Sequence, residues 1–260
     1  MGKGEPKRPR RRIEREFGVP IPGEILEREH WTNTALKRLP EGCLNWQEIF
    51  HRPSPIVLDL GCGNGRFLLA SAITRRDHDH LGVDILPVVI RYATRRANQR
   101  GLANVRWAVV GGRELLERNV APASITEIHC YHPQPYYDPS EHPKRLVTPE
   151  FLWLVQRSLV TGGRLFIQTD NPAYWRYVCA VVPEFLEFRE HVGPWPDAPR
   201  GRTRREIIAL RRGLPVYRAV GTLARRMSES EAKAMIARLP LPTFIADRSL
   251  MVLDKEEQGE

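Results

Sequence analysis

The chain has 260 residues, 42% of them hydrophobic, and its 40 Lys and Arg against 31 Asp and Glu give a formal net charge of +9. That length buries a full core in one large domain, and no apolar run approaches the ~18 residues that span a bilayer, so no membrane partner is expected. The basic N-terminus lacks the apolar stretch of a secretory leader, so a cytoplasmic location is expected, and an excess of cations makes nucleic acid the expected partner.

In chain order, residues 1–20 read as a basic, disordered arm. Lys3, Lys7, Arg8, Arg10, Arg11 and Arg12 crowd its start, and Pro6 and Pro9 oppose a regular helix there. The apolar run 56–60 reads as a buried strand feeding a glycine-rich loop, with a helix over 67–73 behind it. A second strand spans 81–84, preceded by His78 and His80 flanking Asp79 in what reads as a solvated loop. Pro87 opens a helix that 88–99 carries to a stop at Gly101. Further strands are expected over 105–110 and 125–131, separated by a short helix over 113–118.

Thr148 is a suitable N-cap for a helix over 149–159, which Gly162-Gly163 would end before a strand over 164–169. A helix over 173–181 stops at Pro183, late strands fall over 185–191 and 216–223, and residues 193–202 read as an irregular loop. Strand–helix alternation of this kind predicts a doubly wound, mostly parallel α/β sheet. It forms one domain over 21–253, followed by a polar, frayed tail over 254–260. Cys43, Cys62, Cys130 and Cys179 lie far apart with no Cys-x-x-Cys pair, so reduced thiols are expected and neither disulfide nor metal is implied. Nothing in the sequence distinguishes a monomer from a homodimer.

The chemistry concentrates at strand ends, where open α/β sheets bind ligands. Gly61, Gly63 and Gly65 let the backbone turn and approach a nucleotide without a Cβ in the way. Arg66 stands where a dinucleotide-binding loop would have its third glycine, which disfavours a dehydrogenase. Asp59 precedes the loop, and Asp84 ends the next strand about 20 residues on, where a ribose-binding carboxylate is expected. The fourth strand end, Tyr131-His132-Pro133-Gln134-Pro135-Tyr136-Tyr137-Asp138-Pro139, holds a polar residue between prolines and offers aromatic faces to a base.

Gly-x-Gly-x-Gly after an acid resembles the first motif of S-adenosylmethionine-dependent methyltransferases. The order of Asp59–Arg66, Gly82–Ile85, Pro133-Gln134-Pro135-Tyr136, Arg145-Leu146-Val147, Pro149-Glu150-Phe151-Leu152, Thr169-Asp170 and Thr203-Arg204-Arg205-Glu206 resembles the bacterial tRNA (guanine-N7)-methyltransferases. The resemblance runs from about residue 49 to about residue 211. It implies a Rossmann-like class I methyltransferase fold, S-adenosylmethionine as cofactor, tRNA as partner, and methyl transfer to N7 of a guanosine. It assigns Asp59, Gly61, Gly63, Gly65, Asp84, Ile85 and Gly111 to the cofactor. Gln134 and Asp170 fall to catalysis, and Asp138, Asp170, Thr203, Arg204, Arg205 and Glu206 to the substrate.

The chain departs from the family pattern at four of these places: Gln134 replaces an Asp, Tyr136 a Trp, Asp138 a basic residue, and Gly111 an acid near the adenine. Two alternatives follow from the divergence at 134–138. One is a methyltransferase acting on another RNA base, a protein or a small molecule; the other is a catalytically inactive RNA-binding relative. N7 of neutral guanine carries a lone pair and no proton, so attack needs alignment and charge stabilisation rather than a general base.

Overall fold

The computed structural model describes residues 13–258. Its elements in chain order are β1 (Arg15–Glu16), β2 (Val19–Pro20), α1 (Trp46–Phe50), β3 (Ile56–Leu60), α2 (Arg66–Thr74), β4 (Asp79–Asp84), α3 (Pro87–Gln99), β5 (Val105–Val109) and α4 (Gly112–Arg118). They continue with β6 (Ile125–Tyr131), α5 (Pro149–Ser158), β7 (Leu159–Thr169), α6 (Pro172–Val181), β8 (Glu187–Glu190), α7 (Arg204–Arg211), β9 (Tyr217–Thr222), α8 (Glu229–Arg238) and α9 (Met251–Gln258).

Seven strands form one sheet in the order β5-β4-β3-β6-β7-β9-β8. The first five run parallel, and β9 pairs antiparallel with both β7 and β8. All five residues of β3 are buried, as a strand covered on both faces requires. Its alternate residues serve different layers. Val57 packs with Phe67, Leu68 and Ile90 from α2 and α3, while Leu58 and Leu60 pack with Leu115, Phe151 and Tyr174 from α4, α5 and α6. The strand order reverses between β3 and β6, so the ligand crevice of a doubly wound sheet falls outside the carboxyl ends of those two strands.

The structure redraws several expected boundaries. Residues 15–20 of the expected arm form the β1–β2 hairpin, and buried Glu16 holds it to the domain through Asn64 at 2.6 Å, Arg96 at 2.9 Å and Arg66 at 3.2 Å. Residues 1–12 lie outside the described residues. The helix expected to end at Gly162-Gly163 stops at Ser158, and both glycines lie inside β7, Gly162 with φ +77°.

His80 is not in a solvated loop. β4 begins at Asp79, and His80 is fully buried with Nε2 2.9 Å from Ser71 Oγ and Nδ1 3.1 Å from the Asn104 carbonyl. The polar tail is helical as far as Gln258, because Asp254 of α9 pairs with buried Arg205 of α7.

Candidate active site

The glycine loop lies between β3 and α2. Gly61, Gly63 and Gly65 have φ of +79°, +52° and +76°, conformations that a side chain rarely adopts. The N–H groups of Gly61 and Cys62 both donate to the Val83 carbonyl at 2.9 Å, tying the loop to the end of β4. Asp84 completes the tie: Oδ2 accepts the Gly63 N–H at 3.0 Å and Oδ1 the Leu86 N–H at 2.9 Å.

A Cβ at Gly61 or Gly63 would meet nothing within 4 Å, so the loop borders open space on that side. At Gly65 it would lie 2.5 Å from Trp107 and 2.7 Å from Ala93. The three glycines therefore divide into two that face a vacant approach and one forced by packing.

Asp59 is buried at the end of β3, and burial, reinforced by the charge of Asp84, pushes its carboxyl up to about 8. Ile85 is 62% exposed beside the loop. Gly111 lies across from it, close enough that a Cβ there would sit 3.8 Å from Ile85 Cγ2. The structure thus brings Asp59, the three glycines, Asp84, Ile85 and Gly111 around one end of the crevice.

The other end is the segment after β6. His132 and Tyr136 hold φ of 49° and 43°, and buried Arg145 keeps this turn in place. Its guanidinium donates to the carbonyls of Pro135 at 2.5 Å and Tyr136 at 2.8 Å, and to those of Pro242 at 2.5 Å and Phe244 at 2.8 Å. Gln134 is exposed at the tip of the turn. Asp138, expected near the substrate, is exposed and caps a short 3-10 helix (Pro139–Lys144) by accepting the Ser140 N–H at 2.8 Å.

Asp170 ends the crevice side of β7. Arg205 Nε donates to its Oδ2 at 2.6 Å, and His132 Nδ1 lies 3.4 Å from its Oδ1. Burial alone would raise this carboxyl, but His132 and Arg205 hold it well below the usual carboxylate range. Asp170 is therefore a fixed anion rather than a proton acceptor in waiting.

The 203–206 stretch corrects a sequence-based expectation. Thr203 Oγ1 accepts the Glu206 N–H at 3.1 Å and caps α7. Glu206 is fully buried, and its oxygens are taken by Arg218 at 2.5 Å, the Arg202 N–H at 2.7 Å and the Gln168 amide at 3.2 Å. Arg205 is buried against Asp170, and the Arg204 guanidinium lies 5.2 Å over the Phe17 ring. This stretch backs the crevice and braces Asp170, and Glu206 and Arg205 have no free face for a base.

Four residues of the site were not foreseen. Gln168 accepts the Trp195 indole N–H at 2.6 Å and approaches His132 Nε2 at 3.0 Å. Arg202 lies 4.3 Å over the Trp195 ring and donates to the Tyr131 hydroxyl at 2.5 Å. Arg218 neutralises Glu206. Only the residue types at 131–138 hinted at this aromatic and polar cluster.

A family described as "Putative methyltransferase" matches residues 53–219. The tRNA (guanine-N(7)-)-methyltransferase of Alcanivorax borkumensis is 31% identical over 183 residues, which cover 70% of this chain and 76% of that protein. The chain belongs to the tRNA (guanine-N7)-methyltransferase family. A family member from Synechococcus sp. JA-3-3Ab is 32% identical, over 67% of this chain and 75% of its own. Among solved structures, the 16S rRNA methyltransferase KamB aligns with a TM-score of 0.52 over 69% of this chain and 93% of its own at 14% identity, a likeness of fold. Gln134, Tyr136 and Asp138 all lie in the segment after β6, whose Pro135 and Tyr136 carbonyls Arg145 holds.

Proposed function

We propose that this chain transfers a methyl group from S-adenosylmethionine to N7 of a guanosine in tRNA. Membership of the guanine-N7 family carries the reading, and the glycine loop tied to Asp84 at the reversal of strand order supports it. The residues present fit the cofactor. Gly61 and Gly63 leave the approach open where any Cβ would intrude, and Asp84 presents a carboxylate already oriented by two backbone N–H groups. Asp84 would hold the ribose, and Ile85 and Gly111 would flank the adenine. Bound there, the cofactor supplies an electrophilic methyl group.

What the chain's own residues must do is position and compensate charge, since guanine N7 has no proton to remove. Asp170 fits that demand. Its negative charge is fixed by Arg205 and His132, so it opposes positive charge developing on a base without taking up a proton. Gln134, on a turn held rigid by Arg145, offers an amide donor and acceptor but no charge. The net charge of +9 suits a polyanion.

The test is transfer of labelled methyl from S-adenosylmethionine to bulk unmodified tRNA, followed by nucleoside digestion. Labelled 7-methylguanosine is expected. Label in another nucleoside, or none with cofactor in excess, overturns the proposal.

A further inference from the structure

Helix α3 sorts its arginines into two kinds. Arg96 and, at the helix end, the C-cap residue Arg100 turn toward the β1–β2 hairpin, where Glu16 lies 2.9 Å from Arg96 and Glu14 2.9 Å from Arg100. Arg91 and Arg95 are exposed, and neither has an ion pair or hydrogen bond among the described residues. They sit four residues apart, where like charges on a helix repel. Among the described residues no acid pairs with either.

These two arginines line a groove of about 400 Å³ between α3 and residues 31–37. That segment is fixed along the edge of the sheet: the Leu36 N–H donates to the Trp107 carbonyl at 2.8 Å and the Trp107 N–H to the Thr34 carbonyl at 3.0 Å. Lys37, also exposed and without a partner among the described residues, lies on the facing wall, and none of the lining residues is acidic. Trp31 forms one end, its indole N–H fixed on the Leu26 carbonyl at 2.9 Å and its ring 37% exposed. The buried indole N–H of Trp107, also part of the lining, has no hydrogen-bond partner among the described residues.

Three uncompensated cations around an apolar groove with an aromatic end match one ligand chemistry: a sugar–phosphate backbone with a base free to stack. The volume falls in the range of small-molecule sites, enough for one nucleotide unit rather than a duplex. The helix rise places Arg91 and Arg95 about 6 Å apart along the axis, so they can serve successive phosphates. α3 starts three residues after Asp84, so the groove begins beside the crevice and leads away from it along the β5 edge.

The geometry points to this groove as a docking surface for RNA backbone flanking the target nucleoside, with phosphates on Lys37, Arg91 and Arg95 and one base against Trp31. The inference rests on tRNA being the substrate. It adds a contact region that the reacting residues do not include.

The test uses the full chain, bulk unmodified tRNA and a series of KCl concentrations. The triple substitution K37E/R91E/R95E should weaken tRNA binding at least about tenfold and lower the slope of log affinity against log salt by about three, near 0.9 per lost phosphate contact. Trp31→Ala should weaken binding about fivefold or more with the slope kept. S-adenosylmethionine affinity and melting temperature should be unchanged in both. Charge reversal at Arg225 and Lys233 on the α8 side, where both cations already have acidic partners, should have a much smaller effect.

If reversal at the groove unfolds the chain, the neutral pair R91Q/R95Q reads the same slope. A wild-type chain that binds tRNA while the groove variants bind equally well, with the same slope, overturns the groove alone. A wild-type chain that binds no tRNA overturns the substrate reading, and the groove falls with it.

Discussion

Arg205 joins Asp170 at the end of β7 to Asp254 in the last helix, so the site acid and the C-terminus of the described chain share one buried guanidinium. Arg205→Met would leave Asp170 buried beside His132 alone. Breaking a buried pair from one side costs about 3–5 kcal/mol, so a large fall in melting temperature is expected, together with loss of methyl transfer. Arg205→Lys should recover part of the stability. Asp170 has a lowered carboxyl in the fold, so its contribution is complete above the unfolded value near 4 and is lost as pH falls below it. Thermal melts of wild type and variant should therefore converge in acid, and a constant gap from pH 7 downwards would refute the pairing.

The glycines of the loop should respond differently to alanine. Both Gly61→Ala and Gly65→Ala place a side chain at positive φ, a strain of about 1–2 kcal/mol. At Gly65 the new methyl also overlaps Trp107 and Ala93, adding about 1–3 kcal/mol. Gly65→Ala is expected to melt several degrees lower than Gly61→Ala. Gly61→Ala should instead lose at least about tenfold in S-adenosylmethionine affinity, near 1.4 kcal/mol. Calorimetric titration beside thermal melts separates the two effects.

Asp59 gives the fold a penalty at high pH. Its folded carboxyl, raised to about 8, holds a proton that the unfolded chain releases near 4. The native state then binds more protons across that window, and its stability falls as pH rises through it. Asp59→Asn should remove this slope, so the variant gains on wild type between pH 5 and 8. His80 and His129, lowered to about 3 and about 4 by burial, act in the opposite sense. Their contribution is present above the unfolded value near 6.5 and is lost as pH falls below it. Unfolding at a series of pH values for both proteins checks the sign.

Removal of residues 1–12 takes away six cations and leaves Glu14 and Glu16 in place. Weaker tRNA binding, a flatter salt dependence and an unchanged melting temperature are expected. Removal of residues 1–16 also strips Arg66 and Arg96 of Glu16, so that truncation alone should lower the melting temperature. Filter binding and thermal melts on the two truncations distinguish the charge of the first segment from the anchoring of the hairpin.

The central strands were legible because a strand buried on both faces is written as a continuous apolar run, as in Ile56–Leu60. The glycine loop and Asp84 were legible because backbone conformation and strand ending are local properties. The hairpin at 15–20 and α9 were not, since each is ordered by long-range charge pairs, Glu16 with Arg66 and Arg96, and Asp254 and Glu256 with Arg205 and Arg212. His80 was misread because polar residues at Asp79 and His80 hide a strand. Arg52 and Ser54 satisfy the first, and Ser71 and Asn104 the second. α8 carries a readable local signal of its own, the Ser228–Glu231 capping box. Gln168, Trp195, Arg202 and Arg218 come from separate segments, and no spacing in the sequence announces that their side chains meet.

Arg145 imposes an order on the making of this protein. Its carbonyl partners at Pro242 and Phe244 lie 97 and 99 residues further along the chain. A ribosome delivers them long after the turn at 132–138 has emerged. The parallel strands β3 to β7 are all synthesised before that clamp exists, so the nascent chain can assemble its cofactor-side loop while the turn bearing Gln134 still lacks half its support. Competence at the target end of the crevice thus waits until synthesis has passed Phe244.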